Sequence, residues 1–357
     1  MTDLLYSEEE EALRSAVRDL LGDHCDAPGV IARTESDAPH DLAAWKALAD
    51  GMGLAGLLVP EGKGGQGATH REVAVVLEEL GRAVAPVPYL TSAVVATEAL
   101  LASDADDLLA ELASGRKIGA LAVSLSVAPG SAYKVVRHEG GALHGELTGI
   151  ADAAVADVLL VPADDGGLYA VEADAVTVTA QPSLDLTRPL ATVRLDAAPG
   201  RLLGDAEPAV RRALRTAAGL LASEQLGVAD WTLTETVRYL KERKQFNRPV
   251  GGFQALKHRL AQLWLEVAGL RAAARNAADA LTTGEDVELA VAVAQAYAAP
   301  VAVHAAEEAL QLHAGIGMTW EHPIHLYLKR AKADSIAYGT AGSHRAAVAE
   351  LVDLQAP

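Results

Sequence analysis

The chain has 357 residues, half of them apolar, and is therefore long enough for two or three domains with buried cores. Its 30 Lys and Arg residues against 48 Asp and Glu residues give a net charge of −18, which repels nucleic acid and anionic lipid headgroups alike. The single cysteine, Cys25, excludes an intrachain disulfide and any metal site that needs several thiolates. We therefore expect a protein of the reducing cytoplasm, with neither a nucleic acid nor a membrane as partner.

The two segments that could direct the chain to a membrane do not carry the necessary pattern. The first ten residues contain neither a basic leader nor an apolar run, so we predict no secretory signal there. The longest apolar stretch, Leu289 to Ala306, is interrupted by Gln295, Pro300 and His304. Because a bilayer span needs about 20 mostly apolar residues, this stretch is predicted to be a buried helix.

Hydrophobic periodicity divides the chain into three parts, and it predicts an α+β multidomain fold. Residues 1–117 are expected to form an N-terminal α-helical domain, because Leu13, Val17 and Leu20 recur at helical spacing. Residues 118–204 contain short Val- and Leu-rich runs between turn clusters, which predict hairpins of a small β-barrel-like domain. Residues 205–357 return to helical periodicity and are predicted to form a four-helix bundle.

The predicted C-terminal helices are long, and the order of elements excludes a nucleotide-binding β-α-β sheet. Residues 209–244 form one uninterrupted helical pattern that must span a bundle or a subunit interface. Further helices are predicted at about residues 255–281, 287–313, 327–337 and 342–354.

Short motifs that often carry chemistry are predicted to be structural here. The G-x-G-x-x-G match at residues 51–56 follows a helix instead of a strand, which indicates a helix end and a turn. The glycine-rich residues 62–67 lack the Lys-Ser/Thr ending of a phosphate-binding loop. The run Glu321–His325 has potential metal ligands, but Pro323 breaks helical spacing and no nearby residue completes a site. We therefore expect no metal.

Two longer segments combine several unusual residues. Residues 239–254 end a helix with basic side chains and continue through a Pro/Gly turn to Phe253 and Gln254. Residues 311–323 contain Gln311 and paired glycines that permit close approach of a ligand to the backbone. Taken alone, each segment could equally be structural.

Together these segments resemble the acyl-CoA dehydrogenase family, flavoenzymes that introduce a double bond next to a CoA thioester. The run GLAGLLVPE from Gly53, with EELGR ending at Arg82, is similar to the family's N-terminal pattern. Residues 243–246 with Phe253 and Gln254 are similar to its RxxFGxPIGxFQ stretch, and Gln311 with Gly315 and Gly317 to its QxxGGxG loop. The resemblance covers nearly the whole chain in the right order and implies the family's helix, β-domain and bundle architecture.

The resemblance implies FAD as the cofactor, held between two subunits. One subunit holds the flavin ring, and its neighbour contributes the RxxF and QxxGG segments to the diphosphate and adenosine. The residues assigned to FAD in this way are Arg243, Gln245, Phe246, Gln254, Gln311 and Gly315. Thr340 is added, because it ends the run that corresponds to the family's YEGT motif. An Arg side chain and glycine amides suit phosphate oxygens.

Departures from the family pattern fall on the other half of the site. The aromatic residue and the hydroxyl that contact the flavin ring are replaced by Gly149 and Ala151. The catalytic Glu is replaced by Tyr338, and a phenol is a poor base at neutral pH. The alternative base position of one family branch is Ala217, so Glu224, seven residues further along the same helix, is the remaining candidate base.

The pattern predicts a subunit that completes the FAD site of a partner while its own site is incomplete. It is similar to the short, degenerate subunits of actinobacterial α2β2 acyl-CoA dehydrogenases, some of which act on steroid side chains. A homologous subunit, an acyl-CoA thioester and an electron-transfer flavoprotein are the expected partners. Two alternatives remain open: a self-sufficient homo-oligomeric enzyme with Glu224 as base, and a catalytically silent structural subunit.

Overall fold

Helices lie at both ends of the chain and strands lie between them, in a computed structural model that describes residues 4–103 and 105–354. The predicted helix, strand, helix order is therefore confirmed. The N-terminal α-helices are α1 (Glu8–His24), α2 (Ala27–Thr34), α3 (Leu42–Lys46), α4 (His70–Ala83), α5 (Thr97–Leu101) and α6 (Asp106–Ala113). A π-helical segment, Tyr89–Ala96, runs directly into α5.

Local capping signals fix where the main N-terminal helices begin. Ser7 accepts a hydrogen bond from the Glu10 amide, and the Glu10 carboxylate accepts one from the Ser7 amide. Thr69 and Glu72 form the same reciprocal pair at the start of α4. Such capping boxes satisfy amides that have no partner within the helix, so the sequence itself sets these boundaries.

The central region consists of two four-stranded sheets packed face to face. Its strands are β1 (Gly119–Leu121), β2 (Arg137–Glu139), β3 (Ala142–Ala151), β4 (Val158–Pro162), β5 (Gly167–Glu172), β6 (Thr177–Gln181), β7 (Leu190–Ala198) and β8 (Arg201–Asp205). One sheet has the order β1-β4-β5-β8 and the other β2-β3-β7-β6, and a bridge between Val136 and Ala163 connects them. Apolar side chains such as Leu143, Ile150 and Leu159 fill the space between the sheets.

The C-terminal helices have a core of their own and also contribute to the core of the N-terminal helices. They are α7 (Ala206–Glu242), α8 (Gln254–Thr283), α9 (Val287–His313), α10 (Ile324–Asp334) and α11 (Ala341–Leu351), and a short ribbon of β9 (Lys244–Gln245) and β10 (Arg248–Pro249) follows α7. At 1.5 Å per residue the 37-residue α7 is about 55 Å long. It packs against α4, α8, α9 and the π-helical segment, and it therefore connects the N-terminal helices to the bundle.

One apolar helical segment within the described residues, Val287–Met318, is long enough to cross a membrane by length and composition. Of its most apolar window, 61% is buried inside the protein. The Ala-rich side chains of α9 pack against α7 and α8, as in the core helix that the sequence predicts.

Facing glycines allow α4 and α7 to approach each other until their backbones touch. A Cβ atom on Gly227 would lie 1.9 Å from the carbonyl oxygen of Glu78, and one on Gly81 would lie 2.1 Å from that of Glu224. Neither backbone can move without separating the helices. The glycine in the EELGR motif, Gly81, is therefore required by helix packing. The same contact fixes the position of the Glu224 backbone against α4.

We expect Gly227→Ala to lower the free energy of unfolding by about 2–3 kcal/mol, because the added methyl group must push α4 and α7 apart. The matched control is Gly22→Ala on α1, where a Cβ would meet no atom within 4 Å. That change should be neutral or raise stability by up to about 1 kcal/mol, since Ala is the better helix former. Urea unfolding of both variants measures the difference, and equal effects would contradict the packing argument.

Candidate functional site

The end of α7 and the segment after α9 line a cavity of about 380 Å³. Among its lining residues are Arg243, Gln245 and Gly315, which the sequence assigns to a cofactor, and also Tyr239 and His313. Residues that are about 70 positions apart in sequence therefore share one cavity wall. The structure thus brings together three of the predicted cofactor residues.

Arg243 is available for an external anion. It is exposed, and its guanidinium makes no hydrogen bond or ion pair within the described part of the chain. Gly315 is also exposed, with open space around its Cα, so its backbone can approach a ligand closely. A free guanidinium beside accessible amides has the donor set that binds phosphate oxygens.

The ribbon after α7 presents Phe246 to the outside. Phe246 and Asn247 have φ angles of 52° and 60°, so both central residues of the two-residue turn are left-handed. This is the type I′ hairpin geometry, in which Asn is common and Phe is not. The Phe246 side chain is 86% exposed and touches Phe253 edge to face. An apolar side chain held outward at a conformational cost indicates a surface that contacts another molecule.

The remaining predicted cofactor residues lie outside this cavity. Gln254 begins α8 beside the ribbon, and Gln311 lies on the exposed side of α9. Thr340 caps α11 by accepting a hydrogen bond from the Ser343 amide, two residues after Tyr338. Gln254 and Gln311 flank the cavity in sequence, whereas Thr340 lies apart from it at the start of α11.

The loop after α9 contains an unexpected backbone conformation. Ala314 has φ 54° and ψ −133°, a region that glycine adopts readily and that is strained for residues with a Cβ. The family motif has glycine at this position, so the strain follows directly from the substitution of Ala for Gly. Such a strained residue is retained where the loop geometry is fixed by packing or by a ligand.

A second cleft, between the β-domain and the helices, is almost completely filled. Thr91, Leu125, Ala151, Leu214 and Tyr338 are among the residues that enclose a volume of only 10 Å³ there. Tyr338 is 4% exposed; its amide donates to the Leu125 carbonyl at 2.7 Å, and its own carbonyl oxygen lies 2.9 Å from His344 Nε2. A volume of that size holds about one water molecule. In this conformation the cleft has no space for a planar ring or an acyl chain.

Glu224 lies next to this cleft in a buried ion-pair cluster. Its side chain is 1% exposed, and both of its carboxylate oxygens accept hydrogen bonds from Arg188, at 2.6 and 2.7 Å. Arg330 also donates to Glu224, and to Asp185 at 2.5 Å. Asp334 accepts from Arg188 at 2.7 Å. The cluster therefore connects α7 and α10 to the loop before β7.

Burial and charge act in opposite directions on the acids of the cluster. Burial opposes ionisation of Glu224, but Arg188 and Arg330 more than compensate and hold the pKa of Glu224 below its ordinary value. Burial and the neighbouring Glu224 charge raise the pKa of Asp334 to about 8. Its Oδ2 atom is buried without a hydrogen-bond partner among the described residues. At neutral pH Glu224 is thus ionised and doubly paired, whereas Asp334 is largely protonated.

The sequence alone did not reveal this cluster. It singled out Glu224 but not Arg188, Arg330 or Asp334. Arg188 precedes β7 and the other two lie on α10, and each is an ordinary charged residue of its segment. A free catalytic base must reach the substrate, and no cavity described above is lined by Glu224.

Comparisons with known proteins show the family of the chain. Residues 7–114 match the model of the acyl-CoA dehydrogenase N-terminal domain, and residues 208–352 match that of the acyl-CoA dehydrogenase C-terminal domain. The acyl-CoA dehydrogenase IpdE2 of Mycolicibacterium smegmatis is 37% identical over 93% of this chain and 95% of its own length. FadE34 of Mycobacterium tuberculosis is 36% identical over 79% of this chain, which corresponds to 38% of FadE34.

Solved structures show the same fold over the full length. A chain of the ChsE4-ChsE5 complex from Mycobacterium tuberculosis superimposes with a TM-score of 0.88, covers 100% of both chains and is 28% identical. A chain of the Tcur3481-Tcur3483 steroid acyl-CoA dehydrogenase variant gives a TM-score of 0.85 at 30% identity, over 97% of this chain and 98% of that one.

We expect Glu224→Gln to lower the free energy of unfolding by about 3–5 kcal/mol at pH 7, because two buried guanidinium groups lose a shared counter-charge. Asp334→Asn should behave differently. With its raised pKa, Asp334 is protonated in the folded chain but not in the unfolded one, so its contribution to stability falls as pH rises from about 4 to 8. Asn does not titrate, so the Asp334→Asn variant does not lose stability in this way. Its free energy of unfolding should rise relative to that of the parent by up to about 1.4 kcal/mol per pH unit.

Urea unfolding at pH 6 and pH 8 compares the parent with the two variants. We expect Glu224→Gln to have a much lower free energy of unfolding than the parent at both pH values. Asp334→Asn should gain stability relative to the parent at pH 8. A Glu224→Gln variant as stable as the parent would show that the arginines do not depend on this carboxylate.

Proposed function

Because the chain belongs to the acyl-CoA dehydrogenase family, an FAD-dependent family of oxidoreductases, we propose that it acts as one subunit of a hetero-oligomeric enzyme. In this proposal it contributes binding residues to an FAD that is seated in a partner subunit, and it performs no dehydrogenation in its own cleft. The observation that carries the proposal is the contrast between an open nucleotide surface and a filled flavin cleft in the same chain.

The cavity at the end of α7 fits the diphosphate and adenosine part of FAD. Arg243 supplies a guanidinium with no competing partner, and the segment around Gly315 supplies accessible backbone amides. Phe246 and Gln245, on the ribbon, reach toward the molecule that covers the cavity. Diphosphate oxygens would take the charge-assisted bonds, and the exposed phenyl group would pack against the partner or the nucleotide.

The filled cleft does not fit an isoalloxazine ring or a thioester. Tyr338 occupies the position of the family's catalytic Glu, and its buried ring closes the space that Leu125, Ala151 and Leu214 outline. Burial also raises the pKa of the Tyr338 hydroxyl, so the phenol does not ionise at neutral pH. A residue of this kind excludes ligand and water but cannot accept the α-proton of a thioester.

The partner subunit would therefore supply the catalytic base and the contacts to the flavin ring. Bound FAD would supply the acceptor for the hydride that leaves the β-carbon of the acyl group, and the partner's base would accept the α-proton. The residues of this chain bind and orient the cofactor, and their contribution is to affinity and position.

The relatives support a partner that is itself homologous. The ChsE4-ChsE5 structure is a complex of two differently named subunits, one of which has the fold of this chain throughout. The region of FadE34 that matches this chain is 38% of a longer polypeptide, which leaves room for a second subunit-sized region in the same chain. An α2β2 assembly with one FAD site for each pair of subunits is consistent with both.

The alternative of a self-sufficient enzyme with Glu224 as base requires a different conformation. Arg188 and Arg330 would have to release the Glu224 carboxylate, and Tyr338 would have to leave the cleft. The alternative of a catalytically silent structural subunit leaves the free guanidinium of Arg243 and the exposed Phe246 without a role. The shared-FAD proposal accounts for both sets of residues.

The substrate and acceptor follow by similarity. We propose an acyl-CoA thioester with a steroid-derived acyl group, since a relative named as a steroid acyl-CoA dehydrogenase is 30% identical over nearly the whole chain. An electron-transfer flavoprotein is proposed as the acceptor and the cytoplasm as the location. The buried free thiol of Cys25 is compatible with a reducing compartment.

Arg243→Ala in the complex with the partner should weaken FAD binding about 10-fold or more, since a charge-assisted bond to phosphate contributes about 1.5–3 kcal/mol. Lys241→Ala is the matched control, because Lys241 is an exposed cation two residues earlier on the same helix and does not line the cavity. Flavin absorbance after extensive dialysis measures retained FAD. Unchanged FAD content in Arg243→Ala would favour the purely structural subunit.

A further inference from the structure

Three potential metal ligands from separate segments meet beside the nucleotide cavity. Glu235 lies on α7, His313 is the last residue of α9, and His322 lies in the turn before α10. One ligand atom from each lies within 4.8 Å of the other two. The sequence shows His322 only within the run Glu321–His325, which by itself has no completing ligand. The fold supplies the missing ligands from α7 and α9.

The geometry of His313 leaves one ring nitrogen ready to bind a cation. Its Nδ1 lies 2.8 Å from the Ala309 carbonyl oxygen, which can only accept, so Nδ1 carries the hydrogen and Nε2 carries the lone pair. Nε2 is buried and has no hydrogen-bond partner among the described residues. The ring is fixed by stacking on Tyr239, with centroids 4.3 Å apart. A carbonyl that orients the distal nitrogen is the usual support of a metal-binding histidine.

Nε2 is the ring nitrogen of His313 that remains available to the cluster, because Nδ1 is bonded to the Ala309 carbonyl oxygen. His313 contributes to the cavity wall, but its Nε2 atom is shielded from solvent, so a nucleotide in the cavity would not reach it. The ring of His322 lies 4.8 Å from that of His313, centroid to centroid. An unpartnered buried acceptor is unfavourable, and a ligand between the two imidazoles and Glu235 would give Nε2 a partner.

The charges around the cluster permit one cation. Burial lowers the pKa of both His313 and His322, so both imidazoles are neutral at pH 7, as metal binding requires. Arg238 faces the same cluster and donates to both Glu235 oxygens, through Nε at 2.8 Å and through Nη2. Its side chain is 57% exposed and also pairs with Glu242 at 2.8 Å, so Arg238 keeps Glu242 as a partner when a Glu235 oxygen turns to a metal.

We propose that Glu235, His313 and His322 bind a single divalent transition-metal ion, with Zn²⁺ the ion best matched to two imidazoles and one carboxylate. Ligand atoms within 4.8 Å of one another leave a point within about 2.8 Å of all three, so shifts under about 1 Å give zinc bond lengths. The ion ties α7, which ends next to Arg243, to the segment that carries Gly315. Its role is structural, and it does not depend on the FAD-sharing proposal.

The test uses the full-length chain after chelator treatment, titrated with Zn²⁺ by isothermal calorimetry and, separately, with Mg²⁺. We expect one equivalent of Zn²⁺ to bind, no Mg²⁺ at the same concentrations, and a higher Tm with Zn²⁺. His322→Gln and Glu235→Gln should each weaken Zn²⁺ binding at least about 10-fold and remove most of the Tm shift. These two side chains are only partly buried, so the variants are expected to fold.

His325→Gln is the matched control, because His325 lies three residues after His322, in the first turn of α10, but stacks on Trp320 and bonds the Trp320 carbonyl oxygen. It should bind Zn²⁺ as the parent does. The Tm of each metal-free variant checks that it is folded. A parent chain that binds no Zn²⁺, or a His322→Gln variant that binds it with the affinity of the control, would overturn the proposal.

Discussion

The structure depends on the pairing of Glu224 with two buried arginines. Arg188 comes from the loop before β7 and Arg330 from α10, so this one carboxylate connects the β-domain to both helical layers. Two guanidinium groups removed from water require a counter-charge, and a break in such a pair is far more costly than the pair is stabilising. The position of Glu224 is in turn fixed by the glycine contact between α4 and α7. The cluster therefore ties the β-domain to the helices beside the cleft that Tyr338 fills.

The cleft beside the ion cluster and the cavity at the end of α7 differ sharply, although both correspond to parts of an FAD site in the family. The cleft beside the cluster is filled by Tyr338 and encloses 10 Å³, whereas the cavity at the end of α7 offers 380 Å³ with an unpaired guanidinium at its wall. In the proposed function, a single copy of the chain has the outer half of a dinucleotide site, and the partner subunit has the inner half. The net charge of −18 disfavours a polyanion as that partner.

Much of the fold could be predicted from the sequence, because it is encoded locally. Helix α9 has the predicted bounds, 287 to 313, and α7 and α8 differ from the predicted ranges by only a few residues at each end. Helix α10 was predicted three residues too late, at 327 instead of Ile324, because Pro323 begins the helix and the Trp-Glu-His turn before it was not recognised. The predicted hairpins are present, within two sheets joined at Val136.

The site could be predicted only in part. Arg243, Gln245 and Gly315 carried a motif, and they line one cavity. The ion cluster has no sequence motif. Glu224 meets Arg188 and Arg330 only through tertiary contacts, across 36 and 106 residues of chain. The same limit applies to His313 and Glu235, which join His322 only through the packing of α7 against α9.

The count of flavin per polypeptide tests the central claim most directly. The chain, coexpressed and purified with its homologous partner, should give a yellow complex with one FAD for each pair of subunits, and the chain purified alone should be colourless. An isolated chain that retains a full equivalent of FAD and bleaches with an acyl-CoA thioester would contradict the account.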